Sequence, residues 1–88
     1  MKFVFTKHAV KDKLPTIQRF GWKIAKARIK KIVQQPKWKG ASKHGQETAM
    51  DLVDENHILR VVFNRKDDII KIITFHIARR GKYESTLR

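Results

Sequence analysis

The residues best suited to chemistry crowd toward one end of the chain: His76, Arg79, Arg80, Lys82 and Tyr83, with Arg60 upstream and His8 near the other end. Cleaving RNA without a metal needs a base to take the 2′-hydroxyl proton and an acid to protonate the 5′-oxygen as it leaves. It also needs cations against the negative charge that develops on phosphorus. Histidine and tyrosine carry protons, and arginine and lysine carry positive charge, so this set of residue types covers every role. His76 reads as a proton carrier, and Arg60, Arg79 and Arg80 as phosphate and transition-state clamps. Tyr83 or His8 reads as the second proton carrier or as a base-stacking support. Each residue also has an ordinary alternative. Arg79, Arg80 and Lys82 suit a solvated tail, Tyr83 a packing aromatic, Arg60 a counter-charge to Asp51, and His8 the capping of a first helix. His44 and His57, in a polar loop and beside a turn, read as incidental.

Charge points the same way. Twenty-one lysines and arginines against eight acids give a net charge of +13 over 88 residues. Such a body repels itself, and a polyanion that sheds condensed counterions on binding offsets the repulsion most directly. Lys37-Trp38-Lys39 could stack an unpaired base between phosphate-seeking lysines, although Trp38 closing the core behind Pro36 explains it as well. Lys23, Lys26, Arg28, Lys30 and Lys31 offer further phosphate contacts or a merely soluble helix face. RNA is the expected partner.

Other chemistries are poorly served. The acids Asp54-Glu55 and Asp67-Asp68 fall in turn contexts, where carboxylates are ordinary turn formers. No His-Glu-x-x-His motif and no Gly-Lys-Ser/Thr phosphate loop occurs, and there is no cysteine. No metal site and no cofactor are expected. Absence of cysteine fits a reducing compartment, and no apolar run is long enough for a signal or a membrane span, so a cytoplasmic protein is expected.

The elements that must position these residues follow from periodicity. The chain suits one domain, 1–88, with 79–88 as a basic C-terminal tail. Lys2 to Phe5 reads as a strand, with Thr6 as a helix N-cap. Pro15 is expected to split the following helical segment into two short turns. Trp22, Ala25, Ile29, Ile32 and Val33 recur at helical spacing as an amphipathic helix ended by Pro36. Pro36 to Gln46 reads as a linker. Thr48 to Val53 and Ile58 to Phe63 alternate as strands. With a two-residue turn at Glu55-Asn56, Leu52 would face Leu59, Met50 would face Val61, and Asp51 would face Arg60. Ile69 to Ile77 reads as a central strand. A three-residue loop at Arg65 to Asp67 would send Ile69, Lys71, Ile73, Phe75 and Ile77 under the helices. It would leave Ile70, Ile72, Thr74 and His76 beside Arg60 on the opposite face, whereas a four-residue loop would bury His76. The expected fold class is α+β, β-α-α-β-β-β, an antiparallel sheet with helices packed on one face.

A set of short motifs resembles a known superfamily. Phe5-Thr6-x-His8-Ala9, Arg19-Phe20-Gly21, Gln35-Pro36, Leu59-Arg60-Val61-Val62-Phe63, and Ile72-Ile73-Thr74-Phe75 followed by Arg79-Arg80-x-x-Tyr83 look like the RelE/ParE-like toxins. The likeness is nearest to a branch beside the BrnT-type ribonuclease toxins. The resemblance implies a type II toxin–antitoxin toxin, an mRNA interferase that cuts mRNA, often on the ribosome, without a metal, and is silenced by a cognate antitoxin. It carries the basic and His or Tyr site residues onto Arg60, His76, Arg79, Arg80 and Tyr83. Alternatives from other classes are a non-catalytic RNA- or ribosome-binding module and a ParE-like toxin acting on a topoisomerase.

Overall fold

The computed structural model describes residues 2–42 and 44–81. Lys82 and Tyr83, named above as site residues, lie outside the described residues. Strand β1 (Lys2–Phe5) leads into a π-helical turn (His8–Lys13) continuous with α1 (Leu14–Arg19), and α2 (Lys26–Gln34) follows. Then come β2 (Trp38–Ala41), β3 (Glu47–Leu52), β4 (His57–Lys66) and β5 (Ile69–Arg79). Among the described residues, five strands form one mixed sheet in the order β1-β5-β4-β3-β2, with β1 parallel to β5 and the other neighbours antiparallel. The class is α+β, and no helix among the described residues is long and apolar enough to cross a membrane.

Two local expectations are corrected. The segment read as a linker contains β2, which pairs Trp38 with Met50 and Gly40 with Thr48. Otherwise the outer edge of β3 would carry unpaired backbone groups. Gly40 suits the close approach, because a Cβ there would meet Thr48 Oγ1 at 3.1 Å. As expected, Pro15 marks the junction of two short helical pieces, His8–Lys13 and Leu14–Arg19. The turn before it widens, with the Leu14 N–H donating to the Ala9 carbonyl, and Pro15 occupies the opening turn of α1, where its missing N–H costs nothing. Trp22 and Ala25 precede α2 rather than lying on it. Ala25 is the extended N-cap residue, and Ile24 takes the buried position.

The main core lies between the helices and one sheet face. Ala9, Ile17, Ile29, Ile32 and Val33 meet Ala49, Leu59, Val61, Phe63, Ile70, Ile72 and Phe75. Each fully buried Ile, Leu or Phe contributes about 1.5–3 kcal/mol. Lys26 and Lys30, on α2, sit 5.4 and 5.8 Å above the Phe5 and Phe3 rings, so their stems and charges cover β1.

The strand registers differ from the expected ones in a way that decides the site. In β3 and β4, Leu52 faces Ile58, Asp51 faces Leu59, Met50 faces Arg60 and Ala49 faces Val61. The connection is one residue longer than a two-residue turn because Asp54 folds back, its Oδ1 accepting the Asn56 N–H at 2.7 Å, while the Val53 N–H bonds the His57 carbonyl at 3.0 Å. A one-residue slip moves every side chain to the other face. Asp51 and Arg60 are therefore on opposite faces and do not form the expected pair, while Met50 joins Arg60.

Between β4 and β5 the turn is Asp67-Asp68, flanked by the Lys66–Ile69 pair, with Asp67 in the left-handed region at φ 55°. An even turn of this kind would bury His76 if β5 were regular. It is not regular: Val62 pairs with Thr74 and Phe63 with Ile72, so Ile73 is an extra residue, a β-bulge. Ile70 and Ile72 before the bulge, and Phe75 after it, all reach the helix-covered core, with Ile77 packed against it. Thr74 and His76 emerge with Arg60 on the other face. Lys71 is exposed and has no need to thread past the helices.

Candidate active site

Arg60 on β4 and His76 on β5 are direct cross-strand partners. The row extends further, since Met50 pairs with Arg60 and Trp38 with Met50. Trp38, Met50, Arg60 and His76 thus cross the sheet in one line at about 4.8 Å per strand. Thr48, Met50, Ile58 and Val62 are buried on this face. Trp38, Arg60, Thr74 and His76 are half-buried above that apolar floor.

His8 joins this face from a distant part of the sequence. Strand β1 pairs with β5 only as far as Phe5 opposite Ile72, which leaves the β5 edge beyond Ile72 uncovered by β1. Through that gap His8 Nε2 lies 3.2 Å from Thr74 Oγ1, and His8 Nδ1 lies 3.3 Å from the Asp12 carboxylate. An ionised carboxylate only accepts, so Nδ1 carries a proton, and Nε2 shares a hydrogen bond with the Thr74 hydroxyl. Thr74 stands one same-face step from His76. Two imidazoles and one guanidinium therefore converge on Thr74 and its neighbours.

Thr6 holds this junction together. Its hydroxyl donates to the carbonyl of the bulge residue Ile73 at 2.9 Å and accepts the Ala9 N–H at 3.1 Å, while its own N–H donates to the Ile72 carbonyl at 3.1 Å. One side chain thus ties the start of the helical turn bearing His8 to the irregularity that aims Thr74 and His76. The expected capping role of Thr6 is realised, and the bulge contact adds a second function.

The rest of the predicted cluster is divided. Arg79 is opposite His57 and continues the Phe75–Ile77 alternation, so it belongs to the helix side rather than to the row with His76. The Arg80 N–H donates to the Asn56 carbonyl at 2.7 Å, anchoring the end of β5 to the β3–β4 connection. Lys39 pairs with Ala49 on the helix side, and Lys37 Nζ is 5.0 Å above the Trp38 ring. Lys23 is exposed in the connection before α2.

Sequence reasoning missed two features. His57 is not incidental: its Nδ1 lies 3.0 Å from Asp54 Oδ1, and its ring meets Trp22 edge-on at 4.8 Å. The Asn56 N–H bonded to Asp54, followed by His57, holds that carboxyl below its usual range. Phe20 is the other, an aromatic ring 77 % exposed at the end of α1. Its neighbour in the motif Arg19-Phe20-Gly21 carried the available signal, a glycine closing a helix. The chain matches no protein-family model, no curated protein and no solved structure.

Proposed function

We propose that this protein is a metal-independent endoribonuclease, an mRNA interferase toxin of a type II toxin–antitoxin pair. The observation that carries it is the Arg60–His76 cross-strand pair with His8 reaching the adjacent Thr74. One imidazole removes the 2′-hydroxyl proton, and the 2′-oxygen attacks phosphorus. The P–O5′ bond then breaks, and the other imidazole gives its proton to the leaving oxygen. The products are a 2′,3′-cyclic phosphate and a free 5′-hydroxyl. Arg60 faces the phosphoryl oxygens, where a guanidinium forks across two of them as their charge grows. Trp38, at the far end of the row, offers a ring on which an unpaired base of the same strand stacks. The arrangement of a first strand, a helical pair and an antiparallel meander agrees with a RelE-like plan, from which the added β2 and the parallel β1 depart. Such a toxin works in the cytoplasm on mRNA, free or ribosome-bound, and an acidic antitoxin protein neutralises it.

The separation of Arg79 from His76 favours one second reading, a non-catalytic RNA- or ribosome-binding module. Purified protein incubated with mRNA in EDTA decides between them. Cleavage that survives chelation and disappears in His76→Ala supports the enzyme. Tight, salt-sensitive binding with no products supports the module.

A further inference from the structure

On the helix side, beyond the end of β1, a groove of about 400 Å3 opens between α1 and the last residues of β5. Phe20 and Trp22 line it with Lys13 and Arg79, and His57 and His76 complete the wall. Phe20 is held there by the end of α1. The Gly21 N–H bonds the Gln18 carbonyl at 3.0 Å, the Trp22 N–H bonds the Ile17 carbonyl at 3.3 Å, and Gly21 takes a φ of 91°. These two bonds around a left-handed glycine form a Schellman closure, which fixes the direction in which the chain leaves the helix. The exposed Phe20 ring and the half-buried Trp22 make the rim of this groove aromatic. Its surroundings are cationic, and the neighbouring His57 is pinned by Asp54.

We infer that this groove receives one unpaired nucleobase of the RNA strand, the base flanking the cleaved bond, an assignment that rests on the RNA reading above. Three observations carry it. The groove is of ligand size and walled by aromatic rings, against which any base stacks through its π-face. Lys13 and Arg79 supply charge complementary to the phosphate attached to that base. His76 lines the groove and also stands in the Arg60 row, so a strand that crosses β5 past the turn bearing His8 meets both. Arg79, separated from the row by the sheet, thereby regains a role as a phosphate contact on the next linkage.

The test uses Trp38→Phe, in which Trp22 is the only indole left, the sequence having two tryptophans. A short single-stranded oligoribonucleotide, 2′-O-methylated so that it cannot be cleaved, should quench Trp22 fluorescence. A copy with one abasic position should bind about tenfold more weakly when that position falls at the groove. Phe20→Ala should produce the same loss with the intact oligonucleotide, and Phe20→Tyr should restore it. Because Phe20 is exposed, these variants fold. Equal affinity for intact and abasic strands, or an unaffected Phe20→Ala, overturns the assignment. So does an acidic peptide that quenches Trp22 as strongly as RNA. Binding is read without cleavage, so base-dependent quenching alongside uncut, unmodified RNA would leave the groove assignment standing and remove the catalytic one.

Discussion

Arg60 and His76 face each other across β4 and β5 because the strand between the turn and the histidine contains one residue left out of the pairing. Were Ile73 paired in a regular strand, the Asp67-Asp68 turn would set His76 beneath the helices and leave Arg60 opposite Phe75. The geometry of this pair governs the expected effects of substitution.

His76→Ala should reduce RNA cleavage by about 10²–10⁴-fold, the usual contribution of a positioned proton carrier. Arg60→Ala should reduce it by about 100-fold or more, and Arg60→Lys should not restore it, because an ammonium cannot fork across two phosphoryl oxygens. Gel analysis of 2′,3′-cyclic phosphate ends checks both. Full activity in either alanine variant removes the row from catalysis.

Thr74→Val keeps the shape of the side chain but removes the hydroxyl that lies 3.2 Å from His8 Nε2. Thr74 acts through His8, so kcat should fall about tenfold while KM for a short RNA is unchanged. Thr74→Ser should recover most of the rate. A loss that serine fails to rescue, accompanied by a lower melting temperature, would mean that Thr74 is only structural.

Thr6→Ala loses the cap on the Ala9 N–H and the bond to the Ile73 carbonyl together. The expected destabilisation is about 1–2 kcal/mol in urea unfolding. Thr6→Ser should recover most of it. Activity of Thr6→Ala should fall more than its stability predicts, since the bulge that aims His76 loses its tie.

Gly21→Ala places a Cβ where φ is 91°, although no neighbouring atom lies within 4 Å of it. The cost is therefore conformational, about 1 kcal/mol, and visible as a lower melting temperature. A substitution without effect would show that the closure of α1 tolerates another path.

Asp54 should contribute to stability at neutral pH and lose that contribution in acid. Its pKa is held below the ordinary 3.8, first by the Asn56 N–H and then by His57. A group whose folded pKa is depressed stabilises above its unfolded value, and the contribution disappears as pH falls through the folded one. Urea midpoints from about pH 6 down to about pH 2 should decline less steeply below 3.8 in Asp54→Ala than in the unaltered protein. Parallel curves would mean that the pair does not matter to folding.

Much of the fold was legible because its signals are local. Lys2 to Phe5, the alternation through Ile58 to Phe63 and the helical spacing of Ile29, Ile32 and Val33 all became the elements expected of them. The parts that escaped depend on distant partners. Nothing in Trp38 to Ala41 marks a strand until β3 presents its edge, and nothing in Lys2 to Phe5 announces a parallel neighbour. Registers escaped for a subtler reason. Asp54 lengthens one connection and Ile73 lengthens one strand, each by a single residue, and hydrophobic pattern alone tolerates either choice.

For the site, residue types were a better guide than sequence proximity. His8, Arg60 and His76 come together although they are far apart in the chain, while Arg79, near His76 in sequence, departs to the other side. The alternation of a strand separates neighbours as readily as a register unites strangers. His57 escaped because its meaning comes from Asp54 and Trp22, which only the closed turn brings to it.

Ile73 also makes the molecule sensitive to counting. Let it pair with Val62 in an unbulged strand, and Thr74 and His76 would trade sides with Phe75 and Ile77, exchanging reactive groups for grease in a single step. Delete it, and Thr74 follows Ile72 with every later side chain on its present face. A residue added to the Asp67-Asp68 turn leaves the Lys66–Ile69 pair and the faces beyond it as they are. Active versions of this protein should therefore tolerate a longer tip or the loss of Ile73, but not a residue inserted between Thr74 and His76, which would turn the imidazole under the helices.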